Sequence, residues 1–80
     1  MASPQIYIQQ YLAKTFFLNP FGVAPSKTFD RDLGLNNQEF IEVVAQLEML
    51  YNVNLPDEAL STQLSIGQLS NLVFDAGYKA

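Results

Sequence analysis

Apolar residues recur every three or four positions in three stretches of this chain, and polar or breaker-rich segments separate them. In the first stretch, Ser3-Pro4 reads as an N-cap followed by proline at the first helical position. The N–H that proline lacks there is one a helix start leaves unpaired anyway. Ile6, Ile8, Tyr11, Leu12, Phe16 and Leu18 then fall largely at helical spacing and predict a helix over 4–18. Asn19-Pro20 ends it, because the residue before a proline is pushed out of the helical region. Residues 19–35 hold two prolines, two glycines and one short apolar stretch, Phe21-Gly22-Val23-Ala24, which predicts a long inter-helix loop. Loops of this length are uncommon in compact domains and often functional. A single turn around Asp30–Leu33 is expected, with Phe21, Val23, Phe29 and Leu33 pinning the loop to the core.

Asn36 resembles an N-cap, and Glu39 three residues later completes a capping-box pair. The helix predicted from there, 37–51, carries two apolar stripes. Phe40, Val43, Val44, Leu47 and Tyr51 form a wide one suited to the core. Ile41, Ala45 and Met49, four apart, form a narrower one flanked by Gln38, Glu42 and Glu48. A surface helix needs only one apolar face. The second stripe therefore packs on another helix of the bundle, or it is a docking face ringed by carboxylates.

Asn52-Val53-Asn54-Leu55-Pro56 alternates as a strand would, yet one strand without a partner cannot pair, so an extended connector is expected. Pro56 or Asp57 begins a short helical turn through Leu60. Ser65 caps a last helix over 66–76, with Ile66, Leu69, Leu72 and Val73 turned inward and Gly77 at the C′ position. The fold class that follows is all-α: a small four-helix bundle of three long helices and one short, in a single domain spanning 1–80. Tyr11, Phe16, Phe17 and Phe29 are expected in its core.

Composition narrows the chemistry. The 80 residues contain no cysteine and no histidine, so disulfides, thiol nucleophiles, zinc fingers and the commonest general base are excluded. Four Lys/Arg against eight Asp/Glu give a net charge of −4, without the basic footprint that nucleic acid or an anionic membrane surface requires. That balance favours a protein partner with a basic patch. No apolar run reaches the ~20 residues of a membrane helix, and the start lacks the positive region of a signal peptide, so a cytoplasmic monomer is expected. Asp30-Arg31-Asp32-Leu33-Gly34 faintly suggests a calcium loop, but Leu35 stands where such a loop needs glycine and Ile41 where it needs a bidentate glutamate. Only the scattered Lys14, Lys27, Arg31 and Lys79 could assist the serines, threonines and carboxylates, so no catalytic residues and no metal site are expected.

Asp32-Leu33-Gly34-Leu35-Asn36-Asn37-Gln38-Glu39-Phe40-Ile41-Glu42-Val43-Val44 is the informative stretch. With Leu47-Glu48, then Tyr51 through Glu58 and Ser65-Ile66-Gly67-Gln68-Leu69, it resembles the acyl carrier protein family over roughly residues 4–76. Members of that family show Asp-Leu-Gly-x-Asp-Ser-Leu ahead of an acidic second helix, then an aromatic, an extended linker, Pro-Asp-Glu and Thr-Val-Gly-Asp-Leu. The resemblance implies a serine at the start of the second helix that carries 4′-phosphopantetheine. Here the attachment motif reads Asn36-Asn37-Gln38, with Asn37 at the serine's position. A carboxamide nitrogen shares its lone pair with the carbonyl and cannot attack coenzyme A's pyrophosphate as a hydroxyl does. No serine lies between Ser26 and Ser61 to take its place. No cofactor is therefore expected.

The resemblance also implies a docking face made of Asn36, Asn37, Gln38, Glu39, Ile41, Glu42, Ala45 and Glu48, whose carboxylates meet basic patches on enzymes of fatty-acid or polyketide-type metabolism. The expectation is a non-catalytic interaction module of acyl carrier type. The alternative is a genuine carrier whose serine was replaced by Asn37, naturally or by engineering, or lies elsewhere.

Overall fold

The computed structural model describes residues 3–19 and 22–77, and these form three α-helices and no strand. Helix α1 spans Pro4–Thr15, with the Ser3 hydroxyl accepting the Ile6 N–H at 3.3 Å and Pro4 in the first turn. Helix α2 spans Asn37–Tyr51 and helix α3 spans Ile66–Asp75. Both of these begin with complete capping boxes, Asn36 with Glu39 and Ser65 with Gln68, which satisfy N–H groups a helix start would otherwise leave unpaired.

The short fourth helix expected after Pro56 is a single 3-10 turn, Asp57–Ala59. Its first turn holds Asp57 and Glu58, and no residue of it is buried, so nothing in the core extends it. The other departure is at the end of α1. The spacing predicted a helix to Leu18 halted by Asn19-Pro20, but α1 stops at Thr15. Phe16 closes it at φ −107°, and Phe17 turns into the left-handed region at φ 56°. Phe17 is 92% exposed, so the expectation that it joins the core is overturned. Ile6 is also about half exposed, whereas Phe16, Tyr11 and Leu18 pack against the core at its margin. Pro20 and Phe21 lie outside the described residues.

The core is otherwise where the periodicity puts it. Ile8 and Leu12 from α1, Phe40, Val43, Val44, Leu47 and Tyr51 from α2, and Ile66, Leu69 and Val73 from α3 form one buried cluster. Leu72 sits at its edge. Helix α1 packs against both α2 and α3. Tyr7 stacks near Tyr11 and meets the Tyr51 ring edge-on at 6.2 Å, which ties the start of α1 to the end of α2.

The loop before α2 is clamped rather than loose. Val23 and Phe29 are buried, and the Phe29 ring packs edge-on against Phe40 at 5.1 Å. The Phe29 N–H donates to the Leu64 carbonyl at 3.1 Å, and the Ile66 N–H to the Lys27 carbonyl at 3.0 Å. Thr28 and Ser65 form an isolated bridge between these segments. The Gly67 N–H donates to the Pro25 carbonyl at 2.9 Å, and the approach is close: a Cβ at this position would sit 3.3 Å from that oxygen. Asp30–Leu33 does turn, and Gly34 completes the reversal at φ 72°, a conformation that favours glycine. The connector behaves as expected without becoming a strand: Val53 and Leu55 are buried while Asn52 and Asn54 are exposed.

Candidate functional site

The start of α2 is fixed by three sequential devices. Phe29 accepts the Leu35 N–H at its carbonyl (2.8 Å), which folds the Asp30–Gly34 turn back on itself. The Asp32 carboxylate accepts the Thr28 N–H at 2.8 Å and the Thr28 hydroxyl at 3.2 Å, closing the same turn. The Thr28 backbone N–H above all, helped by the Thr28 hydroxyl and the charges of Lys27 and Arg31, holds the Asp32 carboxyl below the usual aspartate range against a partial loss of hydration. The helix then begins with the Asn36 carboxamide oxygen accepting the Glu39 N–H at 2.8 Å. The Glu39 carboxylate accepts the Asn36 N–H in return, at 2.9 Å.

Asn36 is thus a working N-cap. Asn37 and Gln38, in the first turn, are exposed. The residue at the head of the helix, where the resemblance calls for a serine, offers a carboxamide to solvent. Neither the cap nor the two residues after it supplies the hydroxyl oxygen that an ester to phosphopantetheine requires. The side chains present do not fit that group.

Farther along α2, Gln38, Ile41, Ala45 and Met49 follow one another at spacings of three and four and are all exposed, and Glu42 is exposed beside Ile41. Ile41 is 53% exposed and Met49 75%, so the second stripe is not covered by another helix among the described residues. Met49 belongs to this face although the candidate set stopped at Ala45 and Glu48; its place four residues beyond Ala45 was the signal.

The carboxylates do not all share that face. The Glu48 Oε2 accepts the Leu55 N–H at 2.8 Å and the residue is half-buried, so it braces the connector instead of standing on an open rim. Glu39 is likewise half-buried and held in the capping box. Glu42 is exposed and has no hydrogen bond or ion pair among the described residues. No group of three or more metal-ligating side chains occurs among the described residues, and no described helix is long and apolar enough to cross a membrane.

An all-helical chain with a capped second helix whose outer face lies open has the build of a carrier-type domain, and comparison with known proteins bears this out. The family model described as "Phosphopantetheine attachment site" matches residues 7–73, and the chain belongs to that family. It is similar to the acyl carrier protein of Helicobacter pylori (strain J99 / ATCC 700824), 26% identical over 68 residues that cover 85% of this chain and 87% of the relative. A meromycolate extension acyl carrier protein from Mycolicibacterium aurum is 33% identical over 52 residues, 65% of this chain and 54% of the relative. A putative mitochondrial acyl carrier protein of Schizosaccharomyces pombe is 35% identical over 49 residues, 61% of this chain and 44% of the relative.

Proposed function

We propose that this chain is a non-catalytic interaction module of acyl carrier type that carries no phosphopantetheine and docks through α2 onto an enzyme of fatty-acid or polyketide-type metabolism. The observation that carries the proposal is Asn37: a solvent-facing carboxamide at the head of α2, in a chain that the family model matches over residues 7–73. The module acts as a cytoplasmic monomeric single domain, with the 3-10 turn at Asp57–Ala59 as a reduced fourth helix of the bundle. A scaffold or regulatory subunit needs the family's shape and face but not its reactive arm. The relatives' names support the metabolic context, and the net charge of −4 supports a partner with basic residues near the contact.

The test is incubation with coenzyme A and a phosphopantetheinyl transferase, followed by intact-mass spectrometry. The wild-type chain should stay unmodified, whereas N36D/N37S/Q38L, which restores the Asp-Ser-Leu pattern, should gain one phosphopantetheine. A gain on the wild-type chain overturns the proposal and favours a carrier that uses another hydroxyl. Peptide mapping would then identify that hydroxyl.

A further inference from the structure

The face of α1 turned away from Ile8 and Leu12 forms, with the inter-helix loop, an open groove of about 520 Å³. We propose that this groove binds a free medium-chain monocarboxylate. The alkyl chain lies along Ile6 and Ala13 with Val23 beneath it, and the carboxylate meets Lys14. None of the groove's described lining belongs to α2, so its occupancy does not depend on what α2 meets.

Shape and charge both carry this. Ile6 and Ala13, two helical turns apart, give the groove its apolar wall, and Ile6 is about half exposed. The loop side is fixed, because the Gln9 Nε2 donates to the Val23 carbonyl at 2.9 Å. From Ile6 to Lys14 the helix runs about 12 Å. An extended carboxylic acid of about ten carbons, with C–C bonds of about 1.5 Å, has that length. Lys14 is the one charged residue of α1, and none of the described residues lining the groove is acidic. Its ammonium has no hydrogen bond or ion pair among the described residues. In a chain of net charge −4, an anion meets less repulsion here than on the carboxylate-bearing faces. Gln10 is exposed four residues before Lys14 and adds a carboxamide donor on the same line.

Other occupants fit less well. One ammonium neutralises one carboxylate, whereas a phosphate monoester brings close to two charges and no second cation lines the groove. A stable protein–protein contact takes about 20–30 residues a side, and the described lining here is six. The groove's volume instead falls within the roughly 300–1,000 Å³ of small-molecule sites.

The isotope-labelled chain is titrated with sodium decanoate and, separately, with acetate and decylammonium, and followed by NMR. Decanoate should shift the amide signals of Ile6, Ala13 and Lys14 saturably, with a Kd of about 1 mM or lower. Acetate lacks the tail and decylammonium has the wrong charge, so neither should saturate those signals below about 10 mM. Lys14→Gln should raise the decanoate Kd at least about threefold, and Ala13→Glu, which sets a carboxylate in the groove, at least about tenfold. Arg31→Gln, which removes an exposed cation outside the groove, should change it less than about twofold. Unmoved α3 signals in each variant verify that the fold holds. Decanoate shifts centred on Leu47 and Leu69 in the bundle core, or no saturable shift below about 10 mM, overturn the proposal. So do equal binding of decylammonium, a Kd unmoved by Lys14→Gln, and a loss at Arg31→Gln as large as that at Lys14→Gln.

Discussion

Phe17 adopts a conformation that its own side chain disfavours. A bulky residue at φ 56° crowds its Cβ against the backbone, and at 92% exposure the ring recovers little by packing. The αL conformation costs roughly 1–2 kcal/mol for an ordinary residue, and glycine's added chain entropy takes back about 0.5–1. Phe17→Gly should therefore raise the unfolding free energy by about 0.5–1 kcal/mol in a denaturant titration. Phe17→Ala, which keeps a Cβ, should not. Asp32 makes the opposite kind of contribution, since its acceptor role is rewarded by a lowered pKa. A carboxyl whose folded pKa lies below its unfolded value stabilises the fold above the unfolded value, and that stabilisation fades as pH falls through the folded one. The Tm difference between the wild-type chain and Asp32→Ala should be largest near about pH 7 and shrink below about pH 3.9. A difference independent of pH would remove Asp32's charge from the account.

At the scale of the elements, α2 was the most legible. Its start at Asn37, its end at Tyr51 and its five-residue core stripe follow from capping chemistry and period alone. Leu47 is fully buried at the centre of that stripe, and Leu47→Ala should cost about 2–5 kcal/mol by equilibrium unfolding. An unchanged midpoint would mean that α2 faces another way. The end of α1 was less legible because proline marks only the latest point at which a helix can stop. The reversal at Phe16 and Phe17 comes three residues earlier, and no local residue preference announces it. The candidate site divides in the same manner. Spacing identified the open stripe, whereas the fate of Glu48 depended on Leu55, seven residues away across the helix end.

For the whole molecule, the inter-helix loop reveals what binds the chain together. The amides of Phe29 and Asp30 donate to Leu64 and Thr62, and the Ile66 amide donates to Lys27, across more than thirty residues of sequence. These links join the segment ahead of α2 to the segment ahead of α3. Native-state hydrogen exchange should find Phe29, Asp30 and Ile66 protected to an extent comparable with the α2 interior. Rapid exchange at all three would show that the loop opens independently of the bundle.

The sequence by itself determined which residues cap the helix starts, where the apolar stripes of α2 run, and that Asn36-Asn37-Gln38 stands at the head of α2. These depend on hydrogen-bonding capacity, side-chain period and covalent chemistry, all of which are local. Only the tertiary structure decided that the second stripe of α2 stays uncovered and that Phe17 stands in solvent. It alone also showed that, of the three carboxylates on α2, Glu42 is the one left unengaged among the described residues. Whether an apolar stripe is core or surface depends on what packs opposite it, and whether a carboxylate is available depends on which distant N–H reaches it first. Neither is written in the spacing of the residues themselves.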